Sequence, residues 1–222
     1  MMGFTLSKLN LLILVTALFA IISFFLFSLT DLVVSDLAQQ MAKDQSETVF
    51  GLATGDFLCE TSTVTLPESI QYFGGLMPSQ RFYYVMHVKR YPEEPQPDSL
   101  NTLIFQIASR KDPDKIIATS SIDINARIYL YDWDPETDIM EEKSAMTIDP
   151  ESAGVATKNS MSLVKEVYQG QEYLHMIACS SSSGLCEVNL GRAACWVSTC
   201  AEDARNSTCF PLAEGCGTKI SC

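Results

Sequence analysis

Four hydropathy patterns follow one another along the chain. From Leu9 to Leu29 the residues read LNLLILVTALFAIISFFLFSL, 21 positions without a charge. A helix rises about 1.5 Å per residue, so roughly 20 apolar residues cross a hydrocarbon layer ~30 Å thick. The run predicts a transmembrane helix over 9–30, leaving 1–8 as a short leader or cytoplasmic end. Its polar members, Asn10, Thr16, Ser23 and Ser28, are small and can bond within the helix or across to a neighbour. Beyond Asp31 the pattern turns periodic. Val33, Leu37 and Met41 recur every four residues, with Val34 and Ala38 beside them, and no Pro or Gly interrupts from Phe4 to Phe50. One helix therefore continues into an amphipathic extension over 31–50, with an apolar stripe to lay against a globular head.

From 51 to 178 the period shortens. Arg81 to Arg90, RFYYVMHVKR, is aromatic and β-branched, and Thr102 to Ala108, TLIFQIA, reads as a more fully buried strand. Asp112-Pro113-Asp114 supplies a turn. In the return, Ile122, Ile124, Ala126, Ile128 and Leu130 alternate with polar or tyrosyl neighbours, the mark of a half-buried antiparallel strand. Ser162–Tyr168 and Glu172–Ala178 form a hairpin around Gly170. These segments predict four to six antiparallel strands. The proline-rich stretch from Pro92 to Asn101 and the acidic connection from Asp132 to Ser160 read as loops. The expected fold is α+β: a long N-terminal helix on an antiparallel sheet head over 51–178, then a disulfide-rich tail over 179–222.

Charge changes the picture by exclusion. The chain has 222 residues, 27 acidic against 15 basic, and a net charge of −12. Phosphate contacts need cations, so nucleic acid is not an expected partner. Residues 1–30 contribute Lys8 and no acid, leaving −13 on the rest. With Lys8 before the span and Asp31 and Asp36 after it, the N-terminus is expected inside and the head outside. A cleaved secretory peptide is the competing reading, but its apolar region is normally shorter and ends in small residues. Here Phe24, Phe25 and Phe27 occupy that end.

Cysteine usage adds the fourth pattern. Cys59 stands alone, while Cys179, Cys186, Cys195, Cys200, Cys209, Cys216 and Cys222 crowd the tail with 6, 8, 4, 8, 6 and 5 residues between them. No C-x2-C pair occurs, which argues against zinc. Outside a membrane thiols oxidise, so disulfides are expected. Seven is odd, so full intrachain pairing requires a tail cysteine to bridge to Cys59. Closing a loop that long stabilises by up to ~4–5 kcal/mol in the chain-entropy description. Asn206-Ser207-Thr208 fits the N-glycosylation pattern. Asp132, Asp134, Glu136 and Asp138 place carboxylates at alternate positions, as a calcium loop would. The EF-hand glycine and its bidentate glutamate would fall on Thr137 and Lys143, so a solvated acidic loop is the better reading and no metal is expected. His87 and His175 each lie within a strand and read as satisfied, half-buried imidazoles. No nucleophile-elbow, zincin, P-loop or dinucleotide pattern is present, and neither a cofactor nor an enzymatic activity is expected.

Gly3-Phe4-Thr5-Leu6, followed at once by an apolar helix with an amphipathic extension, resembles the N-terminus of type IV pilins. The resemblance covers about the first 50 residues. It implies cleavage between Gly3 and Phe4 by a prepilin peptidase, and packing of the apolar half-helices at the centre of a filament of identical subunits, with the heads outside. Lys8 stands at the fifth position of such a mature chain, where bacterial members usually carry glutamate; archaeal members often lack it. The leader is only Met1-Met2, without the usual basic residue. A signal anchor that is never cut accounts for the same residues. It would make a non-assembling, single-pass surface protein with a binding or adhesion ectodomain.

Overall fold

A computed structural model describes residues 2–56, 59–72, 79–93, 100–134, 139–151, 158–168 and 171–179. It opens with one helix, α1 (Met2–Thr54), of 53 residues, about 80 Å long at the usual rise. The described strands are β1 (Cys59–Thr65), β2 (Ile70–Tyr72), β3 (Gln80–Phe82), β4 (Tyr84–Tyr91), β5 (Asn101–Ser109) and β6 (Asp112–Ile124). They continue as β7 (Arg127–Asp134), β8 (Ile139–Lys143), β9 (Ala145–Ile148), β10 (Ser160–Tyr168) and β11 (Gln171–Cys179). They form a five-stranded sheet in the order β1-β10-β11-β7-β8, a four-stranded sheet β6-β5-β4-β9, and the small pair β2-β3. The architecture is an α+β mix of one long apolar N-terminal helix and largely antiparallel sheets. The cysteine-rich tail from 180 onward lies outside the described residues.

Several expectations need correction. The described strands outnumber the expected four to six, and one pairing is parallel: β11 runs alongside β7 with Tyr173 opposite Arg127. The segment 122–130 keeps its alternation of buried and exposed positions but is not one strand. The chain leaves β6 at Ile124, bends through Asn125 and Ala126, and enters the other sheet as β7. A side-chain period of two survives such a corner, so hydropathy alone does not reveal it. The turn after β5 falls at Arg110-Lys111, not at Asp112-Pro113-Asp114, which begins β6 beside a register shift. β5 is not buried on both faces: its positions alternate from Asn101 to Ile107. Two strands, β8 and β9, occupy the acidic stretch expected to be a loop.

The helix also outlasts its expected end, running through Gly51 to Thr54. Gly51 is exposed and nothing lies within 4 Å of where a Cβ would stand. Gly51→Ala should therefore raise stability by about 0.5–1 kcal/mol, measured by urea or thermal unfolding, because glycine gives up more backbone freedom in a helix than alanine does.

One core joins all layers. It combines Ala38, Ala42, Val49 and Leu52 of α1 with Met86, Val88, Leu103, Phe105 and Ile107 of the four-stranded sheet. From the five-stranded sheet come Ile128, Leu130, Leu163, Leu174 and Met176. The corner between sheets is held by polar groups. Arg90, 5% exposed, donates from Nη1 to the Ile128 carbonyl at 2.6 Å. Asn101, fully buried, donates from Nδ2 to the Ala126 carbonyl at 2.8 Å. Both carbonyls belong to the switch segment, where the chain has left one ladder and is entering the next, so side chains complete the pairing there. Tyr84, also fully buried, donates its hydroxyl to the Pro67 carbonyl at 2.8 Å. Burial pushes the Tyr84 phenol well above its ordinary range, so it stays a donor.

Candidate assembly surface

The two halves of α1 meet different surroundings. Between Leu11 and Leu29 the described apolar side chains are exposed; Leu12, Phe19 and Phe24 show 64%, 65% and 69% of their surface. That half is long and apolar enough to cross a membrane. Thr16 satisfies its hydroxyl inside the helix, donating to the Leu12 carbonyl at 2.8 Å. Below Thr30 one face becomes buried: Val34, Ala38, Ala42, Ser46, Val49 and Ala53 are 7% exposed or less. Their spacing is that of one helical stripe.

Of the expected stripe, Val34 and Ala38 lie in the buried seam, and Val33, Leu37 and Met41 flank it one position round. The reason is size. Small side chains at 38, 42 and 46 let the helix approach β6 closely enough for polar contacts. Ser46 Oγ lies 2.8 Å from Ser120 Oγ. Gln39 donates from Nε2 to the Thr119 carbonyl at 2.9 Å and accepts from the Thr119 N–H at 3.3 Å. β6 is an edge strand of its sheet, so the Gln39 amide acts there like one more rung of the ladder. The larger residues flank the seam. Leu37 and Met41 are half-buried against the core, and Val33 is 38% exposed. With Asp44, Gln45, Pro67 and Ile70, Leu37 and Met41 line an open groove of about 470 Å³ between the helix and the start of the head. Leu29, Val33, Leu37 and Met41 thus carry an apolar strip from the membrane half down to that groove, each one turn from the last.

The lower end of the helix is finished by a distant strand. No basic residue lies in the last turn of α1. Lys165 of β10, 2% exposed, donates to the carbonyl of Gly55 and pairs with Glu172 at 3.4 Å. A cation there satisfies an orphan carbonyl and opposes the negative end of the helix dipole. Helix direction relative to the head is therefore set at both ends of the seam.

No family model, curated protein or solved structure matches the chain. Its function must be argued from its own residues.

The residues singled out in the sequence fall in separate places. Gly3 and Phe4 lie in the first turns of α1. Cys59 begins β1 and Cys179 ends β11. The other six cysteines and Asn206 lie outside the described residues, as do Glu136 and Asp138. Asp132 and Asp134 belong to β7, in ladder positions opposite Glu141 and Ile139 of β8. Among the described residues, no three His, Cys, Asp or Glu groups are arranged to hold a metal ion.

The two histidines differ. His87 of β4 is half-buried, with Nδ1 3.0 Å from Thr147 Oγ1. Desolvation lowers its pKa below the ordinary 6.5; a hydrogen bond at the Pro113 backbone opposes this, Lys89 adds to it, and Asp114 opposes it. A depressed histidine pKa means that the unfolded chain takes up the proton first as pH falls. Stability should accordingly be independent of this group above about pH 6.5 and decline below it. Urea titrations at a series of pH values should show that His87→Gln flattens that decline.

His175 is 1% exposed, more buried than expected, with Nδ1 3.2 Å from Tyr131 Oη. It stacks between Tyr129 and Tyr173 with centroids at 5.7 and 6.4 Å, and Arg127 lies 5.8 Å from the Tyr173 ring centre. This ladder was missed from the sequence. Its only signal is aromatic residues at alternate positions of two segments, and the parallel β7–β11 pairing that brings them together is not local.

Proposed function

We propose that the protein is a pilin-like structural subunit of an extracellular surface filament, assembling through its apolar N-terminal helix. One observation carries this reading: a single unbroken helix whose first half exposes its described apolar side chains while its second half is built into the head. Such a helix needs lipid before assembly and the helices of other copies afterwards. The strip through Leu29, Val33, Leu37 and Met41 extends that surface past the membrane level, where a neighbouring helix would lie. With Lys8 before the span and Asp31 and Asp36 after it, the N-terminus faces the cytoplasm and the head the exterior. A membrane, further copies of the chain and a prepilin peptidase acting at Gly3-Phe4 are the partners implied.

Lys8 favours a second reading. At the fifth position after cleavage its charge would repel a neighbour's terminal amine, whereas in an uncut anchor it only marks the cytoplasmic side. That protein would stay a single-pass, membrane-anchored surface protein with a disulfide-rich binding or adhesion ectodomain.

Mass spectrometry of the mature chain, together with electron microscopy of the cell surface, separates the two. A chain beginning at Phe4 and filaments containing it are expected. An intact Met1 without filaments selects the anchored form.

A further inference from the structure

The tyrosine hydroxyls of the head meet different partners. Tyr72 donates to the Gln80 side-chain oxygen at 2.6 Å, and Tyr84 to the Pro67 carbonyl at 2.8 Å. An amide oxygen accepts a hydrogen bond but is far too weak a base to take the proton. Tyr131 meets a base instead: its Oη lies 3.2 Å from Nδ1 of His175. With its own proton on Nε2, a neutral imidazole offers Nδ1 as acceptor to the phenol, and it takes up a proton readily. Both residues are 1% exposed. A phenol that loses an electron becomes a strong acid, so its oxidation is easiest where a base already touches the hydroxyl. Tyr131 is so placed.

The surroundings add a route and a direction. β7 and β11 run parallel with Tyr129 opposite His175 and Arg127 opposite Tyr173. Alternate positions of the two strands share one face of the sheet, which gathers the four rings. The Tyr129 ring centre is 6.4 Å from those of Tyr131 and Tyr173, with the planes 14° and 27° apart. His175 stacks beside them, 6.1 Å from Tyr131 and 5.7 Å from Tyr129. Tyr129 and Tyr173 are only partly buried, so the row runs from rings that reach solvent to one that does not. Arg127 lies 5.8 Å from the Tyr173 ring centre, where its charge opposes a positive charge on that ring. An electron vacancy is therefore disfavoured at the Arg127 end and is relieved, by loss of a proton, at the His175 end.

We propose that Tyr131 and His175 form a site of one-electron oxidation, fed through Tyr129 and Tyr173 by oxidants in the surrounding solvent. The oxidant is an exogenous one-electron acceptor, such as a high-potential metal complex or a peroxide-derived radical. It takes one electron from Tyr129 or Tyr173, and an electron from Tyr131 refills that ring. The Tyr131 O–H bond breaks as its proton passes to His175 Nδ1 and an N–H bond forms. The products are a neutral phenoxyl radical at Tyr131, an imidazolium at His175 and an oxidant reduced by one electron. A phenoxyl so deeply buried cannot couple with the phenol of another molecule, as exposed tyrosyl radicals do. The site is independent of whether the chain is cut at Gly3.

Flash-generated tris(bipyridine)ruthenium(III), applied to the full-length chain in detergent, tests this, with electron paramagnetic resonance as the readout. The unaltered chain should yield a persistent neutral tyrosyl radical. Tyr131→Phe keeps the ring, removes the hydroxyl and should lose most of that signal. His175→Gln should shorten the radical's lifetime several-fold. Tyr84→Phe should leave the signal unchanged, although Tyr84 is as deeply buried. Only short-lived radicals in the unaltered chain, a persistent radical that survives Tyr131→Phe, or a lifetime indifferent to His175→Gln overturns the proposal. Should either variant fail to fold, the unaltered chain carrying isotopically labelled histidine decides. Pulsed resonance should then show the radical coupled to a histidine nitrogen, and the absence of that coupling overturns the assignment.

Discussion

Replacing Phe105 by alanine should lower the unfolding free energy by about 3–5 kcal/mol, while the same change at the adjacent Ile104 should cost only about 1 kcal/mol. Phe105 is fully buried, in the row of β5 that faces α1 and the other sheet, and belongs to the common core. Its removal leaves a cavity lined by elements that cannot collapse independently, because helix and both sheets already touch one another there. Ile104 is in the opposite row and half-exposed, so truncation removes fewer contacts and leaves no enclosed space. For a chain of this size the Phe105 variant should melt on the order of 10 °C lower. Thermal unfolding of both variants in detergent measures this; equal losses would mean that the face assignment of β5 is wrong.

Introducing lysine at Phe19, the midpoint of the 9–29 run, should disfavour membrane insertion by about 3–4 kcal/mol, a factor of several hundred. Lysine at Leu32 is the control. That residue is 66% exposed and lies past the span, where a long cationic side chain reaches the interface at little cost. Fractionation of membranes under alkaline extraction should release the Phe19→Lys chain and retain the Leu32→Lys chain. If both stay with the membrane as the unaltered chain does, the run is not the spanning segment.

These two experiments probe features with different standing in the sequence. The apolar run needs no partner to be recognised: its length, its lack of charge and the absence of helix breakers are local facts. The hairpin of β10 and β11 around Gly170 was equally readable, because both strands and their turn are contiguous. Alternation marked Ile122 to Leu130 correctly residue by residue. It could not show that Ile124 and Ile128 serve different sheets, since both point to the same core. The apolar stripe of the helix was legible, Val34 and Ala38 included, but not which of its residues centre the seam. Hydropathy favours Leu37 and Met41 over Ala38, Ala42 and Ser46, but close approach to β6 rewards small side chains over greasy ones. Of the candidate site residues, Gly3 and Phe4 rest on a short sequence motif alone. Lys165, Gln39 and the Tyr129–Tyr131–Tyr173–His175 ladder were not legible, because each acts on a partner remote in the chain.

By itself the sequence determined that an uninterrupted apolar helix precedes a strand-rich, acidic body and a cysteine-dense end. Those properties follow from side-chain hydropathy, period and the placement of Gly, Pro and Cys, all of which are local. Only the tertiary structure decided which face of α1 meets the head, where the chain changes sheets, and which strands pair in parallel. Each of those depends on distances between segments tens of residues apart, set by how the layers pack and not by any one stretch of chain.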